Sequence, residues 1–272
     1  MKASDLSDSF KAVCKILLCS RPVARPGHYG EGNTAIVLAN GPSLNGTIEQ
    51  FGEKLKTLPT IAVNFMANTP YFRQLKPCYY VLADPVLFGQ EMDNVKNLWK
   101  NLSEVDWDMT LCVPRKQLKL ARKLLGNSSI KVSAYNFVGI EGFAWLEDFT
   151  FSHRLASPRP RNVLIPALMT AINAGYKEIY ITGADHSWME TLRVSDDNIV
   201  ITVQPHFYSD SKQELSRVST FYKNIRLHEI IHSFYITFRS YHRLQRFAVK
   251  KGIKIYNSTP GSYIDAFERR SL

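Results

Sequence analysis

Five side chains carrying an amide or a carboxylate each follow a short apolar run: Asn40, Asn64, Asp84, Asp185 and Asn257. Such groups recognise hydroxyls, ring amines and phosphate-linked sugars through hydrogen bonds. In an open parallel sheet the ligand crevice lies along the carboxyl ends of the strands, where these residues are expected to fall. Asn and Asp also favour turns for local reasons, so turn chemistry is the competing reading. The first of them opens Asn40-Gly41-Pro42-Ser43-Leu44, a strand-to-helix turn of small residues. Gly41 lets backbone approach a ligand closely. Ser43 offers a hydroxyl or caps the next helix, and a helix N-terminus favours phosphate. The turn matches neither the dinucleotide fingerprint nor a P-loop.

Other chemistry-bearing patterns weigh less. Asp106-Trp107-Asp108 has the D-x-D form of metal-dependent sugar transfer, but it precedes a strand instead of following one, so a solvent-facing loop is expected. His228 and His232 stand four apart on a helix without the carboxylate a zinc hydrolase needs, and read as surface or packing residues. Cys14, Cys19, Cys78 and Cys112 fit no zinc spacing and read as scattered thiols. No metal and no cofactor is expected.

The elements that must position these residues follow from the hydropathy pattern. Short apolar runs at 34–39, 60–63, 78–83, 109–113, 130–132, 179–182 and 253–256 read as strands. Helical spacing falls between them at 48–55, 92–102, 117–125, 163–174 and 214–247. This alternation predicts an α/β fold, a Rossmann-like, mostly parallel sheet with helices on both faces. One domain over 34–272 is expected, with a lid segment at about 186–213 and an N-terminal appendage over 1–33. Within the appendage, Leu6, Phe10, Val13, Ile16 and Leu17 are close to helical spacing. They predict either an interfacial amphipathic helix or a helix packed on the body.

Charge is concentrated at the ends. The net charge is +10, and residues 211–272 carry 12 Lys and Arg against 4 Asp and Glu, residues 1–26 carry 5 against 2, and the body between is nearly neutral. Basic ends on a neutral body suit an anionic partner at the ends and argue against a nucleic-acid groove. Peripheral contact with an anionic membrane is the expected partnership, and a solvated basic helix is the bland reading. No run approaches the ~18 apolar residues of a spanning helix, so a cytoplasmic location at the inner face of the cell membrane is expected. Self-association is left open.

The NGPSL turn resembles the nucleotide-binding turn of the bacterial CMP-sialic acid sialyltransferases of glycosyltransferase family 42, and of the related domain of unknown function 115. Two further stretches are similar to that family in the same order. One is Ala174-Gly175-Tyr176-Lys177-Glu178-Ile179-Tyr180 with Thr182-Gly183-Ala184-Asp185; the other is Gly252-Ile253-Lys254-Ile255-Tyr256-Asn257-Ser258-Thr259-Pro260. Together they span about 40 to 262, roughly four fifths of the chain.

The resemblance implies an inverting, metal-independent glycosyltransferase that moves an acidic sugar from a CMP-sugar donor to a surface glycan or glycolipid acceptor in lipopolysaccharide or capsule synthesis. Asn40, Gly41 and Ser43 would face the donor phosphate and ribose, and Asn64 the nucleotide. Gly183 and Asp185 belong to the central strand's tip, and Ser258 and Thr259 would complete the nucleoside pocket. Asp84 replaces the family's Asn after the third strand, a carboxylate that suits a cytosine amine or ribose hydroxyl and repels an anionic sugar. Arg159 and Arg161 flank the family's donor-binding Arg, with Arg161 the chosen residue. His206, in Gln204-Pro205-His206-Phe207-Tyr208, stands where the family places its general base, with His186 the competing choice. Tyr208 would stabilise the leaving phosphate, a role for which Trp188 lacks a hydroxyl. Two alternatives stay open: an ATP-dependent hydroxymethylpterin diphosphokinase-like enzyme, and a non-catalytic nucleotide-binding scaffold.

Overall fold

A computed structural model describes residues 3–89, 92–202 and 225–272. Helix α1 (Ala3–Cys19) leads into β1 (Thr34–Leu38), α2 (Leu44–Thr57), β2 (Thr60–Val63), α3 (Pro70–Leu75) and β3 (Tyr79–Val81). The chain continues through α4 (Asp93–Ser103), β4 (Thr110–Pro114), α5 (Leu118–Leu125) and β5 (Lys131–Tyr135). Short strands β6 (Gly139–Ile140) and β7 (Ser157–Pro158) bracket α6 (Ala144–Ser152) and precede α7 (Leu164–Ala174) and β8 (Glu178–Thr182). A small hairpin of β9 (Arg193–Val194) and β10 (Val200–Ile201) follows; after it come α8 (Leu227–Lys250), β11 (Lys254–Asn257) and β12 (Glu268–Arg269).

Eight strands form one sheet in the order β12-β11-β8-β1-β2-β3-β4-β5, and every neighbouring pair is parallel. The apolar runs explain this. A parallel strand is buried on both faces and must be apolar throughout. In β1, Ala35 and Val37 point into one core with α7 and α8, and Ile36 and Leu38 into the other with α2 and α4. The same period of two puts Ile61 and Val63 of β2, and Ile179 and Ile181 of β8, on the first side. The expected Rossmann-like α/β architecture is what the chain adopts.

From β1 the chain winds one way through β2 to β5, then crosses to β8 and β11 on the other side. The reversal falls between β1 and β8, and a crevice opens at the carboxyl ends of strands at such a point.

Helix α1 is packed against this body. Ala12 is buried and Ile16 packs on the core. The Phe143 backbone N–H donates to Ser9 Oγ at 2.8 Å, and Lys15 Nζ donates to the Gly139 carbonyl at 2.8 Å. Asn136 fastens the exit of the helix, donating to the Arg21 carbonyl at 2.7 Å and accepting from the Arg21 N–H at 3.2 Å. The opposite face is bare: Leu6, Phe10 and Leu17 are 60%, 72% and 71% exposed. Among the described residues no helix is long and apolar enough to cross a membrane.

Candidate active site

The tips of β1 and β8 are locked together. The Ala39 N–H donates to the Thr182 carbonyl at 2.8 Å, and the Gly41 N–H to the Gly183 carbonyl at 2.7 Å. Gly183 has φ +70, where a side chain is strained, and a Cβ there would stand 2.5 Å from the Ala39 carbonyl oxygen. At Gly41 a Cβ would come within 2.0 Å of Asp185 Oδ2. Asp185 in turn accepts from Ser43 Oγ at 2.8 Å and from the Ser43 N–H at 3.3 Å. Burial raises the Asp185 pKa against these two hydrogen bonds, which oppose the rise. The glycines of NGPSL and GAD are thus required by the close approach of two strand tips.

A cavity of about 350 Å³ lies over this lock. Its wall takes in Asn40 and Gly41 from the tip of β1, Asn64 from β2, Asp84 from β3, and Gly183, Asp185, His186 and Trp188 from beyond β8. Arg161 and Asn162, ahead of α7, and Phe137 close the far side. Six of the predicted polar and glycine positions outside the lid, along with Arg161 and His186, therefore meet in one crevice.

Among the described residues, two side-chain amide oxygens of the crevice wall residues have no partner. Asn40 Nδ2 donates to the Val63 carbonyl at 3.0 Å, which turns Oδ1 the other way, and that oxygen is buried and unbonded. Asn64 Oδ1 is likewise buried and without a hydrogen bond. A buried acceptor left open costs ~1–3 kcal/mol, and both residues belong to the crevice wall. Asn64 also holds φ 48 and His186 φ 55, left-handed conformations that are costly for residues with a Cβ. Both line the cavity. Asp84 is exposed at the rim, its Oδ1 accepting from the Val86 N–H at 3.0 Å.

The wall near Arg161 is cationic. Partial burial and the neighbouring charge of Arg159 push the Arg161 pKa down. Lys15 of α1 is lowered by burial, by Arg159 and, less, by Arg161. Among the described residues neither arginine has a carboxylate partner; Arg161 lines the crevice, Arg159 and Lys15 are close enough to add to its field, and a positive wall attracts an anion.

Some predicted residues lie elsewhere. Ser43, Ser258 and Thr259 line a separate open groove beside Arg269 and Arg270. The reason is local: Asn257 Oδ1 accepts from the Thr259 N–H at 3.0 Å and closes a tight turn. Thr259 Oγ1 then accepts from the Ala184 N–H at 3.0 Å, while Ser258 Oγ donates to the Arg270 carbonyl at 2.7 Å. These groups tie the last strand to the tip of β8. His206 and Tyr208 lie outside the described residues. Asp108 pairs with Lys131 at 3.4 Å on the opposite edge of the sheet, as expected for a solvent-facing loop.

Two residues escaped sequence reasoning. Asn162 sits just before α7, where its Oδ1 accepts from the Leu164 N–H at 3.0 Å; an Asn two residues ahead of an apolar helix is a capping signal that would have singled it out. Tyr241, in the middle of α8, gave none. Its hydroxyl reaches His186 Nε2 at 2.6 Å. The buried ring of His186 has its pKa lowered to about 3 by desolvation.

No protein-family model matches the chain, and no curated protein matches it. Among solved structures, one match is the MAf glycosyltransferase from Magnetospirillum magneticum AMB-1, with a TM-score of 0.51 at 11% identity. The fold is shared with a solved glycosyltransferase. The alignment covers 97% of this chain and 38% of that one, so this chain spans well under half the length of the structure it matches. The α/β body is thus a fold that a solved glycosyltransferase also contains.

Proposed function

We propose that the protein is an inverting, metal-independent glycosyltransferase that takes an acidic sugar from a CMP-linked donor. One observation supports this reading above the others: Asn40 and Asn64, two residues of the crevice wall, each carry a buried amide oxygen without a partner among the described residues. They suit the hydroxyls and exocyclic amine of a cytidine nucleotide, which supply hydrogen-bond donors. The cations around Arg161 suit the anionic phosphate and sugar carboxylate. With this wall, the charge growing on the leaving phosphate is met by fixed donors of the protein itself.

In this reading the acceptor hydroxyl attacks the anomeric carbon from the face opposite the phosphate. A new carbon–oxygen bond forms, the bond to the phosphate oxygen breaks with its electron pair, and CMP leaves with inversion. The hydroxyl proton passes to His206, the assigned base, and Tyr208 stabilises the departing phosphate. The test is transfer and donor hydrolysis with a panel of CMP- and UDP-sugars in EDTA. Activity on CMP-sugars alone is expected, and activity restricted to UDP-sugars with a divalent metal would reject the reading.

The acceptor is assigned to a membrane-bound glycolipid or polysaccharide precursor, reached from the inner face of the cell membrane. The exposed stripe of Leu6, Phe10, Val13 and Leu17 on α1 supports this. Lys11 and Lys15 lie on the same helix, and Arg21 and Arg25 follow it. An apolar stripe flanked by cations is the pattern of a helix lying on an anionic bilayer. Lys15 of that helix is close enough to Arg159 and Arg161 for their charges to lower its pKa, which supports a lipid surface on the cationic side of the crevice.

A further inference from the structure

His186 is surrounded by groups that decide where its proton sits. The Leu164 N–H can only donate, so its 3.0 Å bond to Asn162 Oδ1 fixes which way the Asn162 amide faces. The other end of that amide, Nδ2, is turned inward; it donates to Tyr241 Oη at 2.7 Å and lies 3.2 Å from His186 Nε2. Having accepted from Asn162, Tyr241 Oη directs its single hydrogen to His186 Nε2 at 2.6 Å. Nε2 therefore faces two donors and must present a lone pair. A hydrogen on Nε2 would meet an N–H of Asn162 and would leave the hydroxyl hydrogen of fully buried Tyr241 without an acceptor.

The ring has no means of becoming a cation in place. It lies against Trp188, with centroids 4.2 Å apart, and near Phe238 at 6.2 Å. The titratable groups around it are Tyr241 on α8, Asp185 beside it in the chain, and Arg161 on the same cavity wall. Asp185 spends its carboxylate on Ser43, so no anion is held out to an imidazolium. Burial lowers the pKa to about 3. The neutral ring keeps its one hydrogen on Nδ1, the nitrogen that neither Tyr241 nor Asn162 engages.

We propose that His186 is a tautomer-locked hydrogen-bond donor to a phosphoryl or carboxylate oxygen in the crevice, with Asn162 and Tyr241 as its positioning residues. The proposal rests on the crevice being the ligand site and assigns His186 a role opposite to that of a base. Its only basic nitrogen is occupied by Tyr241, while Nδ1–H is a fixed donor that needs no reorganisation when charge develops on a bound oxygen. Removing one such preorganised donor lowers turnover by about 100- to 1,000-fold.

The lock can be read without any substrate. In the full-length protein with ¹⁵N-labelled imidazoles, ring spectra from pH 5 to 8 are expected to show His186 with Nδ1 protonated, Nε2 unprotonated and no titration. Tyr241→Phe is expected to weaken the lock, giving a mixture of tautomers or a titration within that range. A wild-type His186 that titrates near pH 6.5, or that carries its hydrogen on Nε2, would overturn the proposal. CMP and inorganic phosphate are then added separately. A downfield shift of the His186 Nδ1–H resonance with either supports the donor role; no shift with either, at concentrations that move neighbouring crevice signals, overturns it. A shift with phosphate but none with CMP would keep the donor and reject the cytidine nucleotide. His186→Asn, whose amide N–H₂ reaches the position of Nδ1–H, should hold CMP within about threefold of wild type, whereas His186→Ala should weaken it about tenfold or more; equal losses in the two would count against the donor.

Discussion

Ser43 Oγ donates to Asp185 Oδ2 at 2.8 Å, joining residues 142 apart in sequence and closing the first strand's turn onto the tip of β8. The bond makes Asp185 a latch for the crevice. Asp185→Ala leaves two Ser43 donors without their acceptor, and should cost ~1–3 kcal/mol in urea unfolding. Ser43→Ala removes one of the two bonds and should cost ~1 kcal/mol. If Asp185 instead served only the ligand, its alanine variant would unfold like wild type.

Asn64 offers a test in which stability and binding move in opposite directions. Its φ of 48 is relieved by glycine, so Asn64→Gly should stabilise the fold by up to ~1 kcal/mol. The same change deletes Oδ1, the unpartnered oxygen of the crevice. Calorimetry with CMP should then show affinity lower by about tenfold, the scale of one good hydrogen bond, ~1.4 kcal/mol. A variant more stable than wild type and equally good at binding would remove Asn64 from the site.

Much of this crevice was legible in the sequence because its logic is local. An apolar run needing burial on both faces becomes a parallel strand, and Asn40, Asn64, Asp84 and Asp185 then fall at strand ends by the same reading. Gly41 and Gly183 are required by how closely the two tips approach each other. What the sequence could not show is which way side chains spend their hydrogen bonds. Ser43, Ser258 and Thr259 read as ligand contacts, and each also makes a hydrogen bond within the protein: Ser43 to Asp185, Ser258 to the Arg270 carbonyl, and Thr259 from the Ala184 N–H. Tyr241 meets His186 across 55 residues, and no local pattern announces such a pairing.

The bare stripe of α1 makes a prediction about lipid. Phe10→Glu with Leu17→Glu changes two side chains that are 72% and 71% exposed, so the fold should unfold as wild type does. Co-flotation with vesicles containing phosphatidylglycerol is expected for wild type and should fall at least tenfold in the double variant. Binding should also weaken with added salt, since each Lys or Arg at an anionic surface contributes ~1 kcal/mol that counterions screen. Equal flotation of both proteins, or concentration-dependent dimers lost in the variant, would assign the stripe to something other than a bilayer.

The buried neutral His186 ties stability to pH with a definite sign. Its pKa is lowered to about 3 in the folded chain, against about 6.5 for a free imidazole. Below pH 6.5 the unfolded state binds a proton that the folded state refuses, so stability must fall as pH drops from 6.5 toward 3 and is unaffected by this group above 6.5. The slope from one such group is at most ~1.4 kcal/mol per pH unit. Comparing wild type with His186→Asn separates this from the carboxylates, which titrate in both. Between pH 6.5 and 5 the unfolding free energy of wild type from urea titration should fall more steeply than that of the variant, by up to ~2 kcal/mol over the interval. Parallel curves would mean that His186 is charged as readily in the fold as in the open chain, and the interior contact with Tyr241 would then have to be with an imidazolium.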